Sequence, residues 1–325
     1  MMSKPGGRRA IQVISHGPNC LDGVMGAAAV ARFYAGQRVN TQLVANSDSD
    51  AVLQDLELRT GGEDDEVWIT DLSWNSTATG EHLTDLAKKG ARIYWIDHHR
   101  TAVGRVRAPE FKVPFAGRVL SEQYSAARLT FNYLRKRTAI LPAARARAFE
   151  EFAPFAAIAD DHDRWVHRIP ESTDWALAVQ TLGGMESYRD IVRMREPKLS
   201  RRMRTALQTG REAMARSLEL ARATMVDRML DNGIKVRSAC CFGYSSEVAA
   251  ALYEGQTRTV IALFDLRSQG VSLRRSADSE TDLSVLARDF GGGGHAAAAG
   301  FATSDLKRAP AERLAELLGD RLATA

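Results

Sequence analysis

Long apolar runs are missing from this chain. Nothing approaches the roughly 20-residue stretch that a membrane-spanning helix needs, so no membrane association is expected. Cysteine is nearly absent: 325 residues carry three, at Cys20, Cys240 and Cys241. Two of these are adjacent, the count is odd, and there is no Cys-x-x-Cys. A disulfide framework and a thiolate zinc site are therefore disfavoured, and a reducing cytoplasmic location is expected. No apolar signal core precedes the first strand pattern, which argues against export. Internal repeats and low-complexity tracts are lacking. Neither charge sign dominates: 44 Lys and Arg face 40 Asp and Glu, for a net charge of +4. That mild excess admits an anionic partner without demanding one.

Histidine is also scarce, with seven in the chain, and two of them stand side by side in Asp97–His98–His99. They follow Ile93–Tyr94–Trp95–Ile96, an apolar run that reads as a buried strand. Groups at the carboxyl end of a parallel strand sit where open α/β sheets place their sites.

The first half alternates strand and helix signals. Ile11–Ser15, Val39–Val44, Glu66–Thr70 and Ala91–Ile96 read as strands; Gly23–Tyr34 and Thr77–Lys89 read as helices. This alternation predicts an α/β fold with a doubly wound, mainly parallel sheet. Arg118–Tyr133 and Ala143–Ala159 read as covering helices. Apolar positions recur at helical spacing from Leu199 to Leu230, predicting one long helical spacer with Gly233 as its C-cap. A smaller C-terminal α/β domain follows, with strands at Thr259–Phe264 and Val271–Leu273 and helices at Ser245–Tyr253, Leu283–Phe290 and Ala311–Leu322. The expected domains are 8–195, a spacer at 196–232, and 233–325.

Four separated segments offer metal-type ligands at element ends. They are His16 to Gly23 after the first strand, Asp71 after the third, Asp97–His98–His99, and Asp160 to Trp165 after a helical pattern. Mixed carboxylate and imidazole donors suit Mn²⁺ or a similar divalent ion. A carboxylate shared between two ions gives the arrangement used for phosphoester cleavage. Taken singly, Asp71 reads as a turn residue, His16 as structural and the Asp160–Asp163 cluster as an acidic surface turn. The double histidine is harder to explain structurally, because packing rarely needs two. The run Gly291–Gly294 before His295 would let a backbone approach an anion closely, or else form a linker. The basic group Arg193, Arg195, Lys198, Arg201, Arg202 and Arg204 reads as a solvated helix face. Trp74, Trp165 and Tyr188 read as packing aromatics before base-stacking ones.

The order of these segments resembles the DHH phosphoesterase superfamily, and the glycine run resembles the signature of its associated C-terminal domain. The resemblance spans His16 to Phe301. It implies one ion held by His16, Asp71 and whatever Cys20 offers, and a second held by Asp22, Asp71, His98 and Asp163, with Asp160 the alternative to Asp163. It implies two Mn²⁺ ions, with Mg²⁺, Co²⁺ or Zn²⁺ as substitutes. His99 would face the scissile phosphate, and Asp97 would orient a histidine or the nearby backbone. Arg274, Gly292, Gly293, Gly294 and His295 would bind substrate. Cys20 departs from the family's usual aspartate; a thiolate is softer and favours zinc-like ions. The activity implied is a metal-dependent phosphodiesterase or exonuclease acting on short oligonucleotides or related nucleotides. Cyclic dinucleotide or nucleotide bisphosphate hydrolysis is the nearest alternative, and an inactive nucleic-acid-binding or interaction protein is the reading from another class. A homodimer is compatible with each.

Overall fold

The computed structural model describes residues 10–58, 65–253, 257–303 and 310–323, and the expected boundary at residue 8 lies outside them. The chain divides into two compact units, 1–210 and 211–325.

Unit 1 begins with β1 (Ile11–His16), α1 (Leu21–Phe33), β2 (Val39–Val44), α2 (Ser49–Gln54), β3 (Glu66–Thr70) and α3 (Thr77–Lys88). It continues with β4 (Arg92–Asp97), α4 (Arg100–Gly104), β5 (Gly117–Leu120), α5 (Ala126–Arg135), α6 (Ala143–Glu150) and α7 (Ala153–Asp163). α8 (Ser172–Leu182) and α9 (Gly184–Ile191) complete its shorter helices. The five strands form one parallel sheet in the order β2-β1-β3-β4-β5. Strand order reverses between β1 and β3, and the crevice beyond such a reversal is where open sheets bind ligands.

Alternation along the strands explains the two covered faces. Ile14, Ile69 and Trp95 share one face and pack with Leu53 of α2 and Leu83 and Leu86 of α3. Val13, Trp68 and Tyr94 share the other, where the Trp68 and Tyr94 rings stack at 4.0 Å and Tyr133 of α5 meets both edge-on. The expected doubly wound parallel sheet is present.

The helical reading of Arg118–Tyr133 holds only from Ala126. Gly117–Leu120 instead adds β5 to the free edge of β4, an edge that no local pattern announces. Ala143–Ala159 is two helices, with Pro154 in the first turn of the second, where its missing N–H costs nothing.

Gly23 shows how tightly α1 crosses the end of β1. A Cβ there would sit 1.9 Å from the His16 carbonyl oxygen. Gly23→Ala is therefore expected to lower stability by about 1–3 kcal/mol, measured as a fall in Tm; an unchanged Tm would contradict this packing.

α10 (Arg201–Ala223) is shared between the two units. The helix expected to reach Leu230 stops at Ala223, and β6 (Val226–Met229) follows. Gly233 (φ 78°) is not a helix cap. It closes a hairpin to β7 (Lys235–Cys241), in which the Gly233 N–H donates to the Leu230 carbonyl and the Leu230 N–H to that of Ile234. Asn232–Gly233 is a hairpin signal in its own right; the apolar periodicity masks it.

Unit 2 then runs α11 (Ser245–Tyr253), β8 (Thr259–Asp265), β9 (Gly270–Arg275), α12 (Leu283–Asp289), β10 (Gly293–Gly294), β11 (Ala298–Ala302) and α13 (Pro310–Ala323). Its sheet order is β10-β11-β9-β8-β7-β6, parallel only between β7 and β8. Val236, Val260, Leu273 and Phe301 form its core with Leu286 of α12 and Leu314 and Leu318 of α13. Among the described residues, no helix is long and apolar enough to cross a membrane.

Candidate metal centre

Three parallel strands deliver their last residues to one edge of the unit 1 sheet. His16 ends β1, Asp71 follows β3, and Asp97 ends β4. Helix α1 starts just beyond β1 with Cys20 at its N-cap and Asp22 in its first turn. Asp163 is the last residue of α7. The tertiary fold brings these together in groups able to grip a cation: His16, Cys20 and Asp71; Asp22, His98 and Asp163; Asp71, His98 and His99.

Asp71 is common to two of these groups, and its two oxygens face different ones. Oδ2 lies 3.4 Å from His16 Nδ1 and 3.5 Å from Cys20 Sγ. Oδ1 lies 3.4 Å from His98 Nε2 and 3.8 Å from His99 Nδ1. The residue sits at φ 55°, in the left-handed region, with its N–H bound to the Ile96 carbonyl at 2.9 Å. Side chains other than glycine pay for that conformation, Asp and Asn least.

His98 Nε2 also approaches Asp163 Oδ2 at 3.5 Å and Asp22 Oδ2 at 3.8 Å. Asp22 has a second task, since its oxygens accept from the Ala126 and Ala127 N–H groups at 2.7 and 3.0 Å. It thereby stabilises the amide-rich start of α5. Ser125, the N-cap of α5, escapes the sequence reading, although a serine before Ala126–Ala127–Arg128 is a helix-start signal.

The acidic end of α7 separates into three roles. Asp163 joins the centre, whereas Asp160 Oδ1 accepts from the Ser125 N–H at 2.7 Å. Buried Asp161 accepts from the Arg168 and Ile169 amides and the Ser172 hydroxyl. Of Asp160 and Asp163, it is Asp163 that faces His98.

Asp97 holds the double histidine in place. Its Oδ1 accepts from the His98 N–H (2.7 Å), the His99 N–H (3.1 Å) and His99 Nδ1 (2.7 Å), and its Oδ2 from the Ser73 hydroxyl (2.6 Å). Ser73 is a partner that no sequence signal marks. An Nδ1–H donating to Asp97 fixes the orientation of the His99 ring.

The electrostatics call for a cation. Burial alone would lower the His98 pKa, yet the carboxylates of Asp71, Asp163 and Asp22 push it up to about 10. Burial would raise that of Asp71, but the hydrogen bonds from His16 and His98 hold it far below the usual carboxylate range. Burial and then neighbouring carboxylates drive Asp22 well upward, burial likewise raises Asp163, and burial with Asp71 raises the Cys20 thiol. Asp71 Oδ1 and Asp163 Oδ2 are buried without a well-formed hydrogen bond. Such oxygens are costly unless something positive satisfies them. The donors here, carboxylate, imidazole and one sulfur, fit a divalent transition ion.

The remaining predicted residues lie in unit 2. Arg274 on β9 is directly opposite Ala298 of β11. Its guanidinium donates to Ser272 Oγ, the Leu273 carbonyl and Ser246 Oγ, and burial lowers its pKa. The glycine run is structured rather than open. Gly291 (φ 76°) ends α12, with the Gly291 and Gly292 N–H groups bound to the Arg288 and Ala287 carbonyls. Those two amides are thus unavailable to an anion. Gly293 and Gly294 pair with Gly300 and Ala299, and His295 to Ala298 form the connecting turn. Of the three aromatics, Trp74 is buried with its Nε1 on the Glu110 carbonyl, and Tyr188 accepts from Thr41 Oγ1. Trp165 (φ 57°) is 43% exposed.

Solved structures share this arrangement of chain. The pGpG-specific phosphodiesterase PggH from Vibrio cholerae matches 97% of this chain and 99% of its own, with TM-score 0.55 and 14% identity. The DHH domain of a protein described as a member of a ribosomal-protein family matches 97% of this chain and 87% of its own, with TM-score 0.56 and 15% identity. The fold is that of the DHH phosphoesterases. RecJ from Thermus thermophilus, solved in complex with Mn²⁺, also shares the DHH fold, at TM-score 0.56 and 17% identity; the match covers 97% of this chain and 52% of that one. No protein-family model and no curated protein sequence matches the chain.

Cys20 stands where the DHH pattern usually has aspartate. Cys20→Asp would replace a thiol held neutral by burial with a harder oxygen donor, and any Mn²⁺-dependent hydrolysis by the chain is expected to hold or rise up to about tenfold. Loss of activity in a folded variant would give the thiol a role of its own.

Proposed function

We propose that this chain is a divalent-metal-dependent phosphodiesterase that cleaves short oligonucleotides or related nucleotides. The observation that carries the reading is the double-facing Asp71 carboxylate between His16 with Cys20 on one side and His98 on the other. His16, Cys20 and Asp71 would hold one Mn²⁺, and Asp22, Asp71, His98 and Asp163 a second. Ions bound there supply Lewis acidity toward the phosphoryl oxygens and toward a nucleophilic water.

The chain's own residues supply the rest. Asp97 fixes the His99 ring through Nδ1. Burial opposes protonation of His99, but Asp97 outweighs it and raises the pKa, which favours the imidazolium whose Nε2–H would donate to a phosphoryl oxygen as negative charge builds. Substrate contacts in unit 2 would come from Arg274 and the turn at His295.

The end-to-end match with PggH, described as a pGpG-specific phosphodiesterase, supports short substrates over long DNA. The test is a panel of dinucleotides, longer oligomers, cyclic dinucleotides, a nucleotide bisphosphate and pyrophosphate, each with Mn²⁺ and with EDTA. Metal-dependent cleavage fastest on dinucleotides is expected. Faster turnover of the cyclic or bisphosphate substrates would reassign the substrate, and no turnover of any would leave a binding protein.

A further inference from the structure

The two halves of the centre are alike in spacing and unlike in chemistry. In the first, Asp71 Oδ2 stands 3.4 Å from His16 Nδ1 and 3.5 Å from Cys20 Sγ. In the second, His98 Nε2 stands 3.4, 3.5 and 3.8 Å from oxygens of Asp71, Asp163 and Asp22. The first half therefore offers one carboxylate, one imidazole and one sulfur, and the second three carboxylates and an imidazole. Oxygen-rich donor sets suit hard ions such as Mn²⁺, whereas a thiolate draws ions of the zinc class. Three protein donors that include imidazole and sulfur or carboxylate are also how catalytic zinc is held, with the fourth position kept for water or substrate.

Capping does not account for Cys20. It is the N-cap of α1, yet its side chain makes no cap hydrogen bond. Aspartate there would cap the helix and present hard oxygens. Cysteine forgoes the cap, and what its sulfur adds is affinity for a thiophilic ion. The loop from Gly17 to Cys20 holds that sulfur in place. The Gly17 N–H donates to the Val44 carbonyl at 2.9 Å, the Gly184 N–H to the Pro18 carbonyl at 2.5 Å, and the Val24 N–H to the Cys20 carbonyl at 3.1 Å. α9 presses so closely on this loop that a Cβ at Gly184 would sit 2.1 Å from the Pro18 oxygen. A ligand fixed beforehand leaves less ordering to be done when an ion binds. Asp71 is 1% exposed, and its Oδ1, buried without a well-formed hydrogen bond, faces the second half.

We propose that Cys20 makes the two halves select different metals, so that the loaded centre is mixed. His16, Cys20 and Asp71 take a thiophilic divalent ion, Zn²⁺ or Co²⁺, and Asp22, Asp71, His98 and Asp163 take Mn²⁺. In Mn²⁺ alone both halves fill with Mn²⁺; where both kinds of ion are present, the first half prefers the thiophilic one. Ligation by the sulfur releases the thiol proton to solvent. The inference rests on the reading of this site as a two-ion centre and adds to it which ion each half takes.

The test uses the whole chain, stripped of metal, and reads binding rather than turnover. Titration with Co²⁺ alone should raise a thiolate-to-metal charge-transfer band in the near ultraviolet that saturates with the first ion bound. Cys20→Ser and Cys20→Asp should abolish that band. Zn²⁺ and Mn²⁺ are then competed for the same protein, and the bound ions are counted by mass spectrometry. With limiting Zn²⁺ and excess Mn²⁺, wild type is expected to hold one of each, and its preference for Zn²⁺ over Mn²⁺ should exceed that of Cys20→Asp by about 100-fold or more. Cys20→Ser, which keeps the size of the side chain, carries the comparison if Cys20→Asp does not fold. Co²⁺ bound without the band overturns the inference, as does a band that persists in Cys20→Ser and so belongs to Cys240 or Cys241. A metal preference that changes by less than about threefold in Cys20→Asp also overturns it. In each of these cases Mn²⁺-dependent cleavage by wild type would leave the phosphodiesterase reading standing. Absence of cleavage with every ion, alone or mixed, counts against that reading, and the band and the ion count still decide for or against the mixed centre.

Discussion

Asp71→Asn is expected to lower turnover of the best dinucleotide by about 10³-fold or more, equivalent to about 4 kcal/mol of lost transition-state stabilisation. The substitution is informative because it leaves the backbone and the side-chain shape unchanged. Asp71 sits at φ 55°, a conformation that asparagine also tolerates, so no new backbone strain is introduced. The side chain keeps its shape and one oxygen. It loses the negative charge that faces His16 and Cys20 on one side and His98 on the other. Mn²⁺ affinity, measured by calorimetry, should fall together with activity. Asp71→Ala, by contrast, should lose stability as well, because alanine gains nothing at that φ. Activity within tenfold of wild type in Asp71→Asn would remove this residue from the centre.

Mn²⁺ affinity is expected to rise about 100-fold or more between pH 6 and pH 8. The reason is a proton. The surrounding carboxylates push the His98 pKa up to about 10, so over this whole window an incoming ion must displace one proton from the ring. Each displaced proton makes the apparent affinity rise tenfold per pH unit. Raised pKa values at Asp22, Asp163 and Cys20 can only steepen the dependence. Calorimetry in two buffers of different ionisation enthalpy would count the protons released; a count of zero at pH 7 would refute the account. The same group sets the stability of the metal-free protein. His98 has a folded pKa above its unfolded value of 6.5, so its contribution is complete below about pH 6.5 and is lost as pH rises through about 10. Metal-free melting temperatures should therefore decline across that interval, and metal should reverse the decline.

The ligand types are legible in the sequence because each lies at an element boundary that the local pattern marks. His16, Asp71 and Asp97 each close a short apolar run, and a parallel sheet brings the ends of its strands to one edge whatever the loops between them do. Glycine positions are legible as glycine but not in their roles. Gly23 is required by a carbonyl that belongs to His16, whereas the amides of Gly291 and Gly292 are taken by α12. The hairpin after Met229 is obscured because Val226 and Met229 fit a helical period as well as a strand, and the edge of β7 decides which forms. β5 escapes for the same reason, since only the open edge of β4 makes Gly117–Leu120 a strand.

By itself, then, the sequence determined the α/β class, the four segments that bear ligand-type side chains and their order along the chain. These follow from local periodicity and from residue types whose chemistry is independent of context. Only the tertiary structure decided between Asp160 and Asp163, gave Asp22 its second task on α5, and set Arg128 and Arg164 around Tyr124. The direction of a carboxylate on the last turn of a helix, or of a guanidinium beside it, is settled by how that helix packs. In α7 and α5 the partners lie 35 to 105 residues away, beyond the reach of any local pattern.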